Sequence, residues 1–202
     1  MSNINSIRNA IIKDNVEFTK LGYNPIFRAY EEAKIVIIGQ APGITTQLKD
    51  DVFRDESGDR LREWMGIDEK VFYDSKMIAV LPMDFYYPGK AKTGDKPPRK
   101  DFADKWHPLL LECMPNVKLV LLIGMYAQKH YLGKDMKDNL TKTVMAYNEY
   151  LPKYFPLVHP SPLNRRWMAK NPLFENEVLP VLKSELSAIL GWVWSRLLLY
   201  QM

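Results

Sequence analysis

The sequence predicts a three-layer α/β/α sandwich around a short, four-stranded, mainly parallel sheet, and three observations carry that prediction. Apolar runs rich in β-branched residues recur along the chain, as buried parallel strands require. Segments with helical spacing alternate with them, so right-handed crossovers place helices on both faces. Two of the runs stop at rigid turns studded with proline and carrying polar side chains, Gly39-Gln40-Ala41-Pro42-Gly43 and His159-Pro160-Ser161-Pro162-Leu163-Asn164. An α/β protein builds its site at the carboxyl ends of its strands in this manner.

The elements follow in order. Met1 to Lys20 mixes charges of both signs with isolated apolar residues and reads as a helix within an N-terminal extension, 1–30. The strands are expected at Lys34 to Gly39, Met77 to Leu81, Lys118 to Ile123 and, shorter, Tyr154 to Val158. Ser57 is a plausible N-cap for a helix over Gly58 to Met65, with Gly66 as its stop. Asp101 caps an amphipathic helix over Phe102 to Met114, in which Trp106, Leu109, Leu110 and Cys113 share a face and Pro108 is a candidate kink. Gly124 to Leu132 and Asn171 to Leu190 complete the helices, followed by an apolar helical tail over 191–202. The connection Pro82 to Lys100 is too long for a simple link and follows a strand, so it is expected to border the site.

Composition narrows the function. A chain of 202 residues with 47% hydrophobic content suits a single domain, 1–202. A net charge of +4 permits a polyanionic partner without demanding one. A lone cysteine, Cys113, excludes an internal disulfide and a cysteine-held cluster, and His107, His130 and His159 lack metal-ligand spacing. No metal and no cofactor are expected, and a reducing cytoplasm fits best. No run reaches the roughly 18 apolar residues of a membrane span. The first turn lacks the spacing and the lysine of a phosphate-binding loop, and no serine sits in a hydrolase elbow.

With its two strand-end turns, the chain resembles the uracil-DNA glycosylase superfamily, and most closely the members whose first motif runs Gly-x-x-Pro-Gly. The similarity continues through Phe53-Arg54-Asp55-Glu56-Ser57-Gly58-Asp59-Arg60-Leu61 and covers about residues 30 to 190. The resemblance implies a DNA glycosylase of base-excision repair. Such an enzyme hydrolyses the N-glycosidic bond of a deaminated base, such as uracil, after that base leaves the stack. His159 matches the second-motif histidine that donates to a base oxygen, and Gln40 is the residue left to orient water. Phe53 matches the aromatic that stacks on the base, with Ala41 and Gly43 lining the opposite wall. Leu163 matches the wedge that fills the vacated space. Asn164, Arg165 and Arg166 follow it as phosphate contacts, while Ser161 supports the phosphate or the turn. DNA is the implied partner, single- or double-stranded, and the protein is expected to act as a monomer.

Two departures sharpen these expectations. Ala41 stands where uracil-specific relatives carry a water-positioning aspartate, and glutamine at position 40 is not a general base. The segment Leu81-Pro82-Met83-Asp84 lacks the asparagine that pairs with uracil, which leaves Asp84 or a backbone group to read the base and leaves uracil, hypoxanthine and related bases open. A non-catalytic nucleic-acid or nucleobase binding protein on the same fold is therefore the alternative. His107 and His130 read as partly buried surface residues of amphipathic helices, outside the site. Lys90, Lys92, Lys96, Arg99 and Lys100 form either a solvated loop or, with Arg165 and Arg166, a basic rim.

Overall fold

The computed structural model describes residues 3–191, so the expected tail beyond Gly191 lies outside the described residues. Four strands, β1 (Ile35–Ile38), β2 (Ile78–Val80), β3 (Leu119–Ile123) and β4 (Tyr154–Leu157), form one sheet in the order β2-β1-β3-β4. All three pairings are parallel, with Ile37 opposite Val80 on one side and Leu121 on the other, and Leu121 opposite Phe155. The four strands stand where the apolar runs predict them, each shorter by one or two residues.

The two faces of the sheet build two cores. Ile35, Ile37, Ile78, Val80, Leu121, Phe155 and Leu157 face one layer. Its helices are α4 (Glu56–Met65) and α10 (Leu179–Leu190), which bring in Leu61, Trp64, Met65, Leu182 and Leu186. Val36, Ile38, Ala79, Val120 and Leu122 alternate to the opposite layer. There they meet α1 (Ile4–Asp14) and α6 (Phe102–Glu112) through Ile7, Ile11, Trp106 and Leu110. The chain is therefore an α/β/α sandwich. At roughly 25 cal/mol per Å² of apolar surface, the two buried faces supply the dominant favourable term in folding.

Several local expectations need correcting. The N-terminal helix breaks at Asn15, whose φ of −128° and ψ of 48° separate α1 from α2 (Val16–Lys20). Asn15 is buried, and its amide donates to the carbonyl of Ile11. The cap of α4 is Asp55, not Ser57: the Asp55 carboxylate accepts the Gly58 N–H at 3.0 Å, which places Ser57 in the first turn. Gly66 ends that helix at a φ of 66°, as predicted. Asp101 sits at the start of α6 at a φ of 63° with no side-chain cap bond, and Pro108 lies inside a helix that runs through it. Leu109 is 39% exposed because the buried face turns on Phe102, Trp106, His107 and Leu110. The segment from Asn171 holds a π-helical turn, Phe174–Val178, before α10, since Pro180 lacks the N–H for a regular bond to Asn176.

Short helices that the periodicity passes over complete the chain. They are α3 (Ile44–Lys49), α5 (Glu69–Asp74), α8 (Leu140–Met145) and α9 (Arg165–Lys170), none longer than two turns. The helix α7 (Gly124–Leu132) begins on the residue after β3. The turns that leave the carboxyl ends of β1 and β4, on either side of β3, face one opening.

Candidate active site

That opening is a cleft of about 610 Å³ lined by both strand-end turns. Gly39, Gln40, Ala41, Pro42 and Gly43 form one wall, Phe53 and Ser57 another, and His159, Ser161 and Leu163 the facing lip. The predicted connection after β2 borders it, through Pro82, Pro88, Lys90, Asp95 and Lys96.

The first turn is fastened to the exit of β2. The Met83 N–H donates to the Gly39 carbonyl at 2.9 Å, and the Asp84 N–H to the Gln40 carbonyl at 3.3 Å. Gln47 then anchors α3, donating to the Asn24 carbonyl and accepting the Tyr87 N–H. These bonds occupy backbone and leave the Gln40 side chain without a hydrogen bond among the described residues.

The second turn is braced from several sides. The Ser161 N–H donates to His159 Nδ1 at 3.2 Å, the Asn164 amide donates to the His159 carbonyl at 2.7 Å, and Arg60 donates to the Ser161 carbonyl. A backbone N–H only donates, so Nδ1 is an acceptor and the neutral ring carries its proton on Nε2. Burial disfavours the charged imidazolium and lowers the His159 pKa, against the Asp55 carboxylate, which favours it. A half-buried, neutral imidazole with a donating Nε2 is thus presented on the cleft. Ser161 accepts the Leu163 N–H, so its hydroxyl and the Asn164 amide both serve the turn itself. Leu163 stands 91% exposed at the lip.

Phe53 holds a left-handed conformation, φ 54°, which a bulky side chain rarely adopts. Its carbonyl accepts from the Tyr73 hydroxyl at 2.7 Å and from Arg62 at 3.2 Å, and it approaches α4 at the one residue without a side chain, Gly58. The ring is partly buried, edge-on to Phe72, and lines the cleft.

Asp84 does not belong to this set. It is fully buried, accepts two bonds from the Arg99 guanidinium at 2.7 and 2.8 Å and one from the Tyr86 N–H, and does not line the cleft. Its carboxylate is spent on holding the long connection, which leaves nothing to read a base. Arg99 also donates to Asn15 and packs over Phe18 and Phe102, so it is a staple and not part of a basic rim. Arg165 and Arg166 are exposed on α9, outside the cleft; Arg165 lines a neighbouring groove with Arg60 and Lys183.

Sequence reasoning missed two groups that line the cleft as site residues, Asp55 and Ser57, because the cap was placed two residues late. Asp55 three residues before Gly58 is a capping pattern that carried the signal. His107 also differs from expectation. It is 1% exposed, its Nε2 bonds the Pro82 carbonyl at 2.9 Å and its Nδ1 bonds the Tyr131 hydroxyl. It is a core residue that pins the cleft-lining exit of β2. Among the described residues no group of three His, Cys, Asp or Glu is placed to hold a metal ion, and no helix is long and apolar enough to cross a membrane.

A solved structure similar to this chain is the solution NMR structure of a provisionally assigned uracil DNA glycosylase from Methanosarcina acetivorans. It is 17% identical, with a TM-score of 0.48 over 78% of this chain and 93% of the other. The profile of the Uracil DNA glycosylase superfamily matches residues 27–183, which takes in β1 to β4, both turns and Phe53. The chain belongs to the uracil DNA glycosylase superfamily.

Proposed function

We propose that this protein is a DNA glycosylase that hydrolyses the N-glycosidic bond of a deaminated base, uracil first among them, extruded from DNA into the cleft. The observation that carries the reading is the His159 turn, where the Ser161 N–H on Nδ1 leaves Nε2 to donate. As the bond between C1′ and the base nitrogen breaks, its electron pair stays with the base, and negative charge develops on the base oxygens. A donor held at such an oxygen stabilises the transition state more than the ground state. A neutral imidazole suffices for that task.

Phe53 stacks on the extruded base, a contact worth about 1–3 kcal/mol. The Gln40 amide, which has no partner among the described residues, orients the water that adds to C1′. Ala41 supplies no acid, and the carboxylate nearest in influence to His159 is that of Asp55, across the cleft. Asp55 accepts the proton that the water loses, and the departing base is protonated by solvent. Leu163 fills the space in the duplex, and Arg165 and Arg166 on α9 hold phosphates beside it.

The test is base release from oligonucleotides containing uracil, hypoxanthine or xanthine, read as alkali-sensitive strand breaks. His159→Ala and Asp55→Asn should each lose at least about 100-fold in rate, the range of a positioned donor or base. Asparagine keeps the cap of α4, so the second variant isolates the charge. Wild-type protein that binds these oligonucleotides and releases no base would instead support a binding role, to which the missing acid at Ala41 points.

A further inference from the structure

We infer that Ser57 is a specificity-determining residue, its hydroxyl donating to a carbonyl oxygen of the base held in the cleft. The inference rests on the glycosylase reading and names the group that reads the base in place of Asp84, which Arg99 has taken.

Three observations converge. Ser57 is 9% exposed, and the part that remains open lines the cleft beside Phe53. Its hydroxyl makes no hydrogen bond to the described residues and opens onto the cleft, unlike the unpartnered Tyr86 hydroxyl sealed in the core. A hydroxyl that the fold leaves unpaired at the cleft wall keeps its O–H to donate to an acceptor atom of a ligand. The carbonyl one turn back, Phe53, is already held by Tyr73 and Arg62.

The location decides what the hydroxyl meets. Ser57 lies in the first turn of α4, a helix of 10 residues, where unpaired N–H groups and the helix dipole favour an electronegative atom over an amino group. The Asp55 carboxylate at the same helix end opposes an anion. A neutral carbonyl oxygen satisfies both conditions, and a phosphate does not. With Nε2 of His159 donating to one base oxygen and Ser57 to a second, the cleft favours bases that carry two ring carbonyls, as uracil does. Cytosine, with an amino group in place of one carbonyl, leaves Ser57 facing a donor.

The experiment is calorimetric titration of free uracil and free cytosine into wild-type protein, Ser57→Ala and Ser57→Cys, with melting temperatures measured alongside. Both variants should bind uracil about tenfold more weakly, the loss of one hydrogen bond, and the preference for uracil over cytosine should narrow by the same factor. Ser57→Ala should melt no lower than wild type, since alanine is the better helix former and no hydrogen bond among the described residues is lost. A hydroxyl kept only for packing does not produce weaker uracil binding at equal stability. Uracil affinity within twofold of wild type in both variants would overturn the inference, and so would a wild-type protein that does not bind uracil. Failure of the parent reading looks different: uracil binds and Ser57→Ala weakens it, yet wild type releases no base from any oligonucleotide.

Discussion

Replacing Gly58 by alanine puts the architecture of the aromatic wall to a direct test. A Cβ at this position would stand 1.8 Å from the carbonyl oxygen of Phe53 and 2.9 Å from its Cβ. Both are backbone or near-backbone atoms, so no flexible side chain can swing away, and the Phe53 peptide has to retreat by about 1 Å or more. That movement breaks the bonds its carbonyl accepts from Tyr73 and from Arg62. One neutral bond and one charge-assisted bond are together worth about 3 kcal/mol. The gain in helix propensity from glycine to alanine returns about 1 kcal/mol, for a net loss near 2 kcal/mol. In a chain of 202 residues this is a fall of roughly 4–8 °C in melting temperature. Urea denaturation gives the free energy, and base release gives the function, which should fall further than stability because the stacking ring has moved. A Gly58→Ala protein as stable and as active as wild type would refute the claim that this close approach holds Phe53 in place.

Three other expectations follow from the same geometry. Burial lowers the His107 pKa from the ordinary 6.5 to about 4, so the unfolded chain takes up a proton before the folded one does and stability drains away as pH falls between those values. The contribution of this group is about 3 kcal/mol, fully present above pH 6.5 and gone below 4; urea midpoints for wild type and His107→Phe across that window check it, the variant's slope being shallower. Leu163→Ala should leave stability within about 0.5 kcal/mol, because the side chain is 91% exposed, while base release from duplex falls and release from single strands does not; equal loss on both substrates refutes the wedge. Replacing Arg165 and Arg166 together by alanine should flatten the slope of log affinity for DNA against log salt by roughly 1 to 2, and an unchanged slope places the phosphates elsewhere.

The sequence by itself carried the sheet, its layers and the two turns. Buried parallel strands leave near-continuous β-branched runs, such as Ile35-Val36-Ile37-Ile38, whose meaning does not depend on neighbours. Proline restricts the backbone locally, so the rigidity of the His159 turn was legible without a fold. Strand order was not, since nothing local to β2 says that it pairs with β1 while β3 lies on the other side. The short helices escaped for a related reason: six residues of α3 or α9 give too few turns for a period to show. Asp84 and Arg99 stand 15 residues apart along the chain, and only the folded long connection brings their charges together, removing Asp84 from the cleft. The same holds for Ser57, which looks like a cap in the sequence and becomes a free hydroxyl in the cleft once Asp55 takes the Gly58 N–H. Local conformational preference is written in adjacent residues, but which polar groups satisfy one another and which stay open to a ligand is decided by partners that tertiary folding alone supplies.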